Sequence, residues 1–303
     1  MFTSTSSTGK ADLYEQVTQS IIQAIEDGAG DYVMPWHSLT APVNAFTGKR
    51  YRGINVLLLW ATAARAGYLS EQWATYRQWQ EAGGQVRKGE RSSLVVFWKF
   101  FDNRQEESQD DQEDAQNRHA RCMARAYHVF NAAQVDGIPP SHALPDGLPE
   151  SERIAHAEAF FSALPGKVIF GSEQAYYSKT EDAIHMPDFS RFKSSPQFYS
   201  VLSHERSHWC GAPTRLNRNL TGRFGDANYA MEELIAELTS ALVCASLQLP
   251  LEPRKDHAPY LANWLQVLRG DKRAIFTAAS KAQEAANYLR ELVNTAALDN
   301  SSA

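Results

Sequence analysis

The chain has 303 residues, 43% hydrophobic and 21% charged, with a formal net charge of −5. That length accommodates two domains, each expected to have its own core, and the composition is that of a globular protein. No apolar run reaches bilayer-spanning length, residues 1–10 lack a hydrophobic leader core, and Cys122, Cys210 and Cys244 are too scattered for a disulfide framework, so a cytoplasmic protein without a membrane partner is expected.

Leu13, Val17, Ile21, Ile22 and Ile25 recur at helical spacing over 12–27, and Gly28 ends that helix. Met34-Pro35-Trp36 and Pro42-Val43-Asn44 read as extended or turn segments, because proline disfavours helix in the residue before it. Residues 47–55 form a basic loop bounded by Gly48 and Gly53, and an apolar helix follows over 56–66. After a Gly83-Gly84 turn and a second basic loop over 86–91 comes a strand over 94–100. The acidic loop 102–118 holds seven acids and one arginine between positions 102 and 114, too polar to bury a core. A second strand over 121–130 is expected to pair with the first across that loop.

Positive charge is concentrated between Asn44 and Lys99, where nine Lys/Arg face three acids. Aromatic residues are interleaved with it, among them Tyr51, Trp73, Tyr76 and Trp79. Cations attract phosphates irrespective of sequence, and exposed rings stack on unpaired bases, a combination suited to single-stranded DNA. The candidate DNA-binding residues are Lys49, Arg50, Tyr51, Arg52, Asn55, Trp73, Tyr76, Arg87, Lys88 and Arg91.

Four prolines and Gly147 mark a linker over 137–150, so the first domain is expected over 1–136 and the second over 151–303. The second domain opens with a helix over 151–163, capped by Ser151, and three short strands over 168–170, 175–177 and 183–186. Next comes the sequence His204-Glu205-Arg206-Ser207-His208, an HExxH motif preceded by apolar residues at helical spacing. Residues four apart share a helix face, so His204 and His208 can bind one metal ion with Glu205 beside it as general base for an attacking water. Glu233 and Glu237 share a face of a later helix, and a histidine pair plus such a carboxylate is a gluzincin-type ligand set. Glu233 is taken as third ligand and Glu237 as the partner that orients a ligand, with the reverse assignment left open. Zn2+ is the expected ion, and Mn2+ fits the same donors. The last strand is expected to run along the cleft and pair with an extended peptide, with Tyr176 or Tyr177 donating to an oxyanion and His185 structural. Helices over 260–268 and 271–297 cover the core.

Together these residues resemble the ArdC family of plasmid antirestriction proteins, related to the N-terminal region of TraC-type primases. The resemblance rests on Pro35-Trp36, Thr47-Gly48, the run Tyr51-Arg52-Gly53-Ile54-Asn55, Trp73, the run Gly83-Gly84-Gln85-Val86-Arg87-Lys88-Gly89-Glu90, His204-Glu205, His208-Trp209 and the run from Glu233 to Leu238. It implies an α+β protein of two domains, an N-terminal single-stranded-DNA-binding domain and a C-terminal zincin-like metallopeptidase domain. It also implies protection of incoming DNA from host restriction during conjugation. The alternatives are a DNA-dependent protease acting on DNA-bound or crosslinked proteins, with a host restriction component as one possible substrate, and a single-strand binder with a non-catalytic metal domain. Cys210 stands where the family often has threonine, and a thiolate there could tune the site or add a ligand.

Overall fold

The computed structural model describes residues 12–31, 34–37, 40–101, 121–138, 150–221, 226–251 and 258–301. Residues 1–10, the acidic loop at 102–118 and most of the linker at 137–150 lie outside them.

Helix α1 (Leu13–Gly28) is capped by Asp12, whose carboxylate accepts from the Tyr14 N–H at 3.0 Å, and it buries Val17, Ile21, Ile22 and Ile25 as their spacing requires. Strand β1 (Val43–Asn44) leads to α2 (Ile54–Ala66), which stops at Gly67, where φ of +68° suits a residue without a Cβ. Strand β2 (Gln72–Ala74), helix α3 (Tyr76–Glu81) and strand β3 (Gln85–Val86) follow. Thr75 and Gln78 form a capping box at the start of α3. Strands β4 (Ser93–Phe101) and β5 (Arg121–Asn131) pair antiparallel in register Ser93 to Val129, as expected, and β6 (Val135–Asp136) pairs with β3. The main sheet has the order β1-β2-β5-β4.

The second half starts with α4 (Glu150–Ser162), one residue earlier than expected, so Ser151 lies inside the helix and is not its cap. Strands β7 (Lys167–Phe170), β8 (Tyr176–Ser178) and β9 (Ala183–Met186) form a sheet of order β7-β9-β8, followed by helices α5 (Ser195–Cys210), α6 (Ala227–Ser246), α7 (Ala258–Gly270) and α8 (Ala274–Ser301). Among the described residues no helix is long and apolar enough to cross a membrane.

Each half has apolar clusters of its own, but the two cores are not separate. One apolar cluster joins Val17, Ile21, Ile25, Trp36, Leu57 and Trp60 from the first half to Leu234, Leu238, Trp264, Ile275 and Ala278 from the second. The cause is visible in α2, where every residue from Ile54 to Ala61 is buried. The sheet covers one side of that helix, with Leu59 against Trp73, Val95 and Val129, and the other sides need the C-terminal helices. A second cluster, including Phe161, Ile184, Met186, Leu202, Trp209 and Leu289, lies within the C-terminal half.

Candidate metal centre

Helix α5 is fixed by the Ser194 hydroxyl, which accepts from the Gln197 N–H at 3.2 Å, and by Pro196 in the first turn. Phe198, Tyr199 and Leu202 anchor its apolar side, and the two motif histidines emerge on the side facing α6. His204 Nε2 and His208 Nε2 lie 3.2 Å apart. Glu233 on α6 sets one oxygen 3.4 Å from His204 Nε2 and the other 3.5 Å from His208 Nε2. Two imidazole nitrogens and a carboxylate oxygen within 4.8 Å of one another form the donor set of a divalent-metal site.

Charge holds this cluster together before any ion is considered. Burial disfavours a charged His204, but Glu233, Glu237 and Glu205 outweigh it and raise its pKa to about 10. Burial likewise works against the Glu233 carboxylate, yet His204, His208 and Tyr229 bring it down to about 2. Each histidine also has a carboxylate behind it. Glu237 Oε2 lies 3.7 Å from His204 Nδ1, and Glu232 Oε1 lies 3.2 Å from His208 Nδ1. Arg218 grips Glu232 with both arms, Nη2 to Oε1 at 2.7 Å and Nε to Oε2 at 3.0 Å.

Sequence reasoning missed Glu232 and Arg218. Glu232 precedes a candidate ligand and passes for an ordinary helix acid, and Arg218 sits in a loop with no motif. Cys210 proves different from expectation. It is fully buried among apolar side chains, burial pushes its thiol up to about 12, and it stands apart from the three donors.

The donors open into a cleft of about 910 Å³, whose walls include Glu205, Tyr176, Tyr177, Arg191, Lys193, Tyr229 and Tyr260. Here too one expectation is corrected. Strand β9 is the middle strand, paired to β7 and β8 on its two sides, so its backbone groups are already used. The edge strand that lines the cleft is β8. The Tyr177 hydroxyl donates to Asp182 at 2.7 Å and accepts from Arg215 at 3.1 Å, while Tyr176 stacks on His185 with centroids 4.6 Å apart. His185 is tied to Glu181 at 2.5 Å, consistent with a structural role.

The candidate DNA residues divide into two groups. Lys49, Arg50, Arg52, Tyr76, Arg87, Lys88 and Arg91 are exposed, and Tyr51 is half-buried. Arg87 is engaged with Glu90 at 2.8 Å and Asp136 at 3.4 Å. Trp73 and Asn55 are corrected to structural residues. Trp73 is 1% exposed in the core between α2 and the sheet, so no base can stack on it. Asn55 is buried and ties α2 to β4, donating to the Val96 carbonyl at 2.8 Å and accepting its N–H at 2.7 Å. Exposed rings that sequence reasoning did not select are Phe46, beside Trp79, and the β-hairpin pair Phe97 and Tyr127, 5.4 Å apart.

A histidine pair and a carboxylate from two packed helices, beside a small sheet with one edge on the cleft, define a zincin-like metallopeptidase domain, and residues 155–281 match the zincin-like metallopeptidase family. Residues 11–130 match the N-terminal domain of anti-restriction factor ArdC. The crystal structure of antirestriction ArdC protein from the R388 plasmid superposes with a TM-score of 0.75 in its metal-free form, at 41% identity over 94% of this chain and 98% of that one. Its Mn(II)-bound form gives a TM-score of 0.74 at the same identity, over 93% and 98%. Uncharacterized protein y4eC of Sinorhizobium fredii (strain NBRC 101917 / NGR234) is 52% identical over 282 residues, 92% of this chain and 91% of that protein. The chain belongs to the ArdC antirestriction family. DNA primase TraC of Escherichia coli is 33% identical over 298 residues, but the chain spans only 27% of that larger protein.

Proposed function

We propose that this chain is a plasmid-type antirestriction protein of the cytoplasm that binds single-stranded DNA, hydrolyses peptide bonds, and protects incoming DNA from host restriction during conjugation. The observation that carries the reading is the convergence of His204, His208 and Glu233 on one point at the floor of the cleft, with Glu205 on the same wall. The donor set suits Zn2+ or Mn2+, and the Mn(II)-bound form of the R388 protein supports a divalent ion. Such an ion, when bound, supplies Lewis-acid polarisation of a scissile carbonyl and lowers the pKa of water.

The remaining steps belong to the chain itself. Strand β8 offers the edge left unpaired among the described residues to an extended peptide and aligns the scissile bond over the donors. Glu205 takes the proton of the attacking water and delivers it to the leaving amine. Glu237 and Glu232 keep both imidazoles turned toward the centre. On the other half, Lys49, Arg50, Arg52, Lys88 and Arg91 attract a strand's phosphates, and Tyr76 offers a face to its bases. A host restriction component is the substrate this reading favours.

The test is a restriction-protection assay in a conjugation recipient, comparing wild type with Glu205→Gln. Loss of protection with unchanged single-strand affinity supports a working protease. Retained protection shifts the function to strand binding alone.

A further inference from the structure

The metal centre is not built by the metallopeptidase half alone. Glu237, which stands behind His204, is itself contacted by the segment between α1 and β1. Trp36 Nε1 donates to Glu237 Oε1 at 3.3 Å, and His37 Nε2 lies 3.7 Å from the same oxygen. The His37 and Glu237 side chains are each only 4% exposed. The tautomer of His37 is also fixed. Its Nδ1 accepts the Met34 N–H at 3.2 Å, so the proton sits on Nε2, the nitrogen turned toward Glu237.

We propose that Trp36 and His37 are positioning residues of the metal centre, supplied by the DNA-binding half, which set the Glu237 carboxylate and through it the ring of His204. The inference rests on the reading that His204, His208 and Glu233 hold a metal. The Trp36 N–H bonded to Glu237 Oε1, with His37 Nε2 3.7 Å from the same oxygen, leaves Oε2 to face His204 Nδ1 at 3.7 Å, and a proton on Nδ1 leaves Nε2 with its lone pair directed at the centre. Neither residue touches the centre, so both act by orientation. Trp36 is held from its other side as well, with its ring 6.1 Å from that of Trp264 in the core shared by the two halves.

The test measures Zn2+ affinity of the full chain by competition with a chelator, alongside the melting temperature of the metal-free protein. Trp36→Phe keeps the ring and removes the N–H. His37→Leu removes the second N–H, and His37→Gln restores a donor. A carboxylate behind a metal-bound histidine is worth about 10- to 100-fold in affinity. The expected result is a roughly tenfold loss for His37→Leu, recovery in His37→Gln, and a loss of several-fold for Trp36→Phe. A melting temperature near wild type in His37→Gln and Trp36→Phe separates positioning from folding. Unchanged Zn2+ affinity in Trp36→Phe and His37→Leu, with affinity lost in Glu233→Gln, overturns the proposal and leaves the metal reading intact. Unchanged affinity in Glu233→Gln overturns the metal reading itself.

Discussion

Glu232 lies between His208 and Arg218 and answers both, one carboxylate oxygen 3.2 Å from the imidazole Nδ1 and each oxygen within 3.0 Å of a guanidinium nitrogen. Burial would raise its pKa, but these two partners lower it, so Glu232 is ionised in the fold. Glu232→Gln is expected to weaken divalent-metal affinity by about tenfold, since a ligand's orienting partner loses its charge. A competition titration showing wild-type affinity would remove Glu232 from the site. Glu232→Ala is expected to go further and destabilise the fold by about 3–5 kcal/mol, because Arg218 is left charged and buried without its partner. Denaturant melts of the metal-free protein measure that loss.

Glu205→Gln is expected to retain the metal and to lose at least a hundredfold in peptide hydrolysis, because an amide keeps the shape and cannot take the proton. Metal content by mass spectrometry and turnover of a denatured protein substrate give the two readings. Hydrolysis at the wild-type rate would exclude Glu205 as the base.

The two kinds of candidate DNA residue predict opposite behaviour. Arg50→Ala with Arg52→Ala is expected to leave the melting temperature alone and to reduce both single-strand affinity and its salt dependence, by roughly one unit of slope for each phosphate no longer neutralised. Trp73→Ala is expected to cost about 3–5 kcal/mol of stability through the cavity it leaves. Binding of a labelled thymidine oligomer at two salt concentrations, paired with thermal melts, tests both. A folded, stable Trp73→Ala that no longer binds DNA would contradict its placement in the core.

Asp182 predicts a pH dependence. The Arg215 guanidinium holds its carboxyl below the usual carboxylate value, against a smaller effect of burial. A depressed folded pKa gives stability that is present above the unfolded value of about 3.9 and is lost as pH falls through the folded one. Because Asp182 is about half exposed at 54%, the contribution is modest. Wild type is therefore expected to exceed Asp182→Asn in stability at pH 7, with the gap closing below about pH 4. A gap that persists at pH 2 would mean the Arg215 interaction contributes nothing through charge.

Local periodicity makes most of the fold legible. The spacing of Val17, Ile21 and Ile25 places α1, the two β-prone runs place β4 and β5, and the i, i+4 histidines place the site. What stays hidden are long-range relations. Nothing in the alternation of residues 183–186 says that β9 is flanked on both sides, which is why the sequence alone expects an open edge on a strand that has none. Aromatic residues between basic loops carry no mark of which face they present, so Trp73 and Tyr76 read alike although one is core and the other surface. Asn55 reads as a polar loop residue, and only the close approach of β4 gives it two backbone partners.

Because α1 and α2 share their core with α6, α7 and α8, the boundary drawn by the two matched families is not a line along which the chain divides. Either half released alone would face water with leucine, isoleucine and tryptophan side chains that now face each other. The two modules are therefore coupled in folding. In the Escherichia coli primases the two halves occur together, each primase matching over 92% of this chain within a much longer polypeptide.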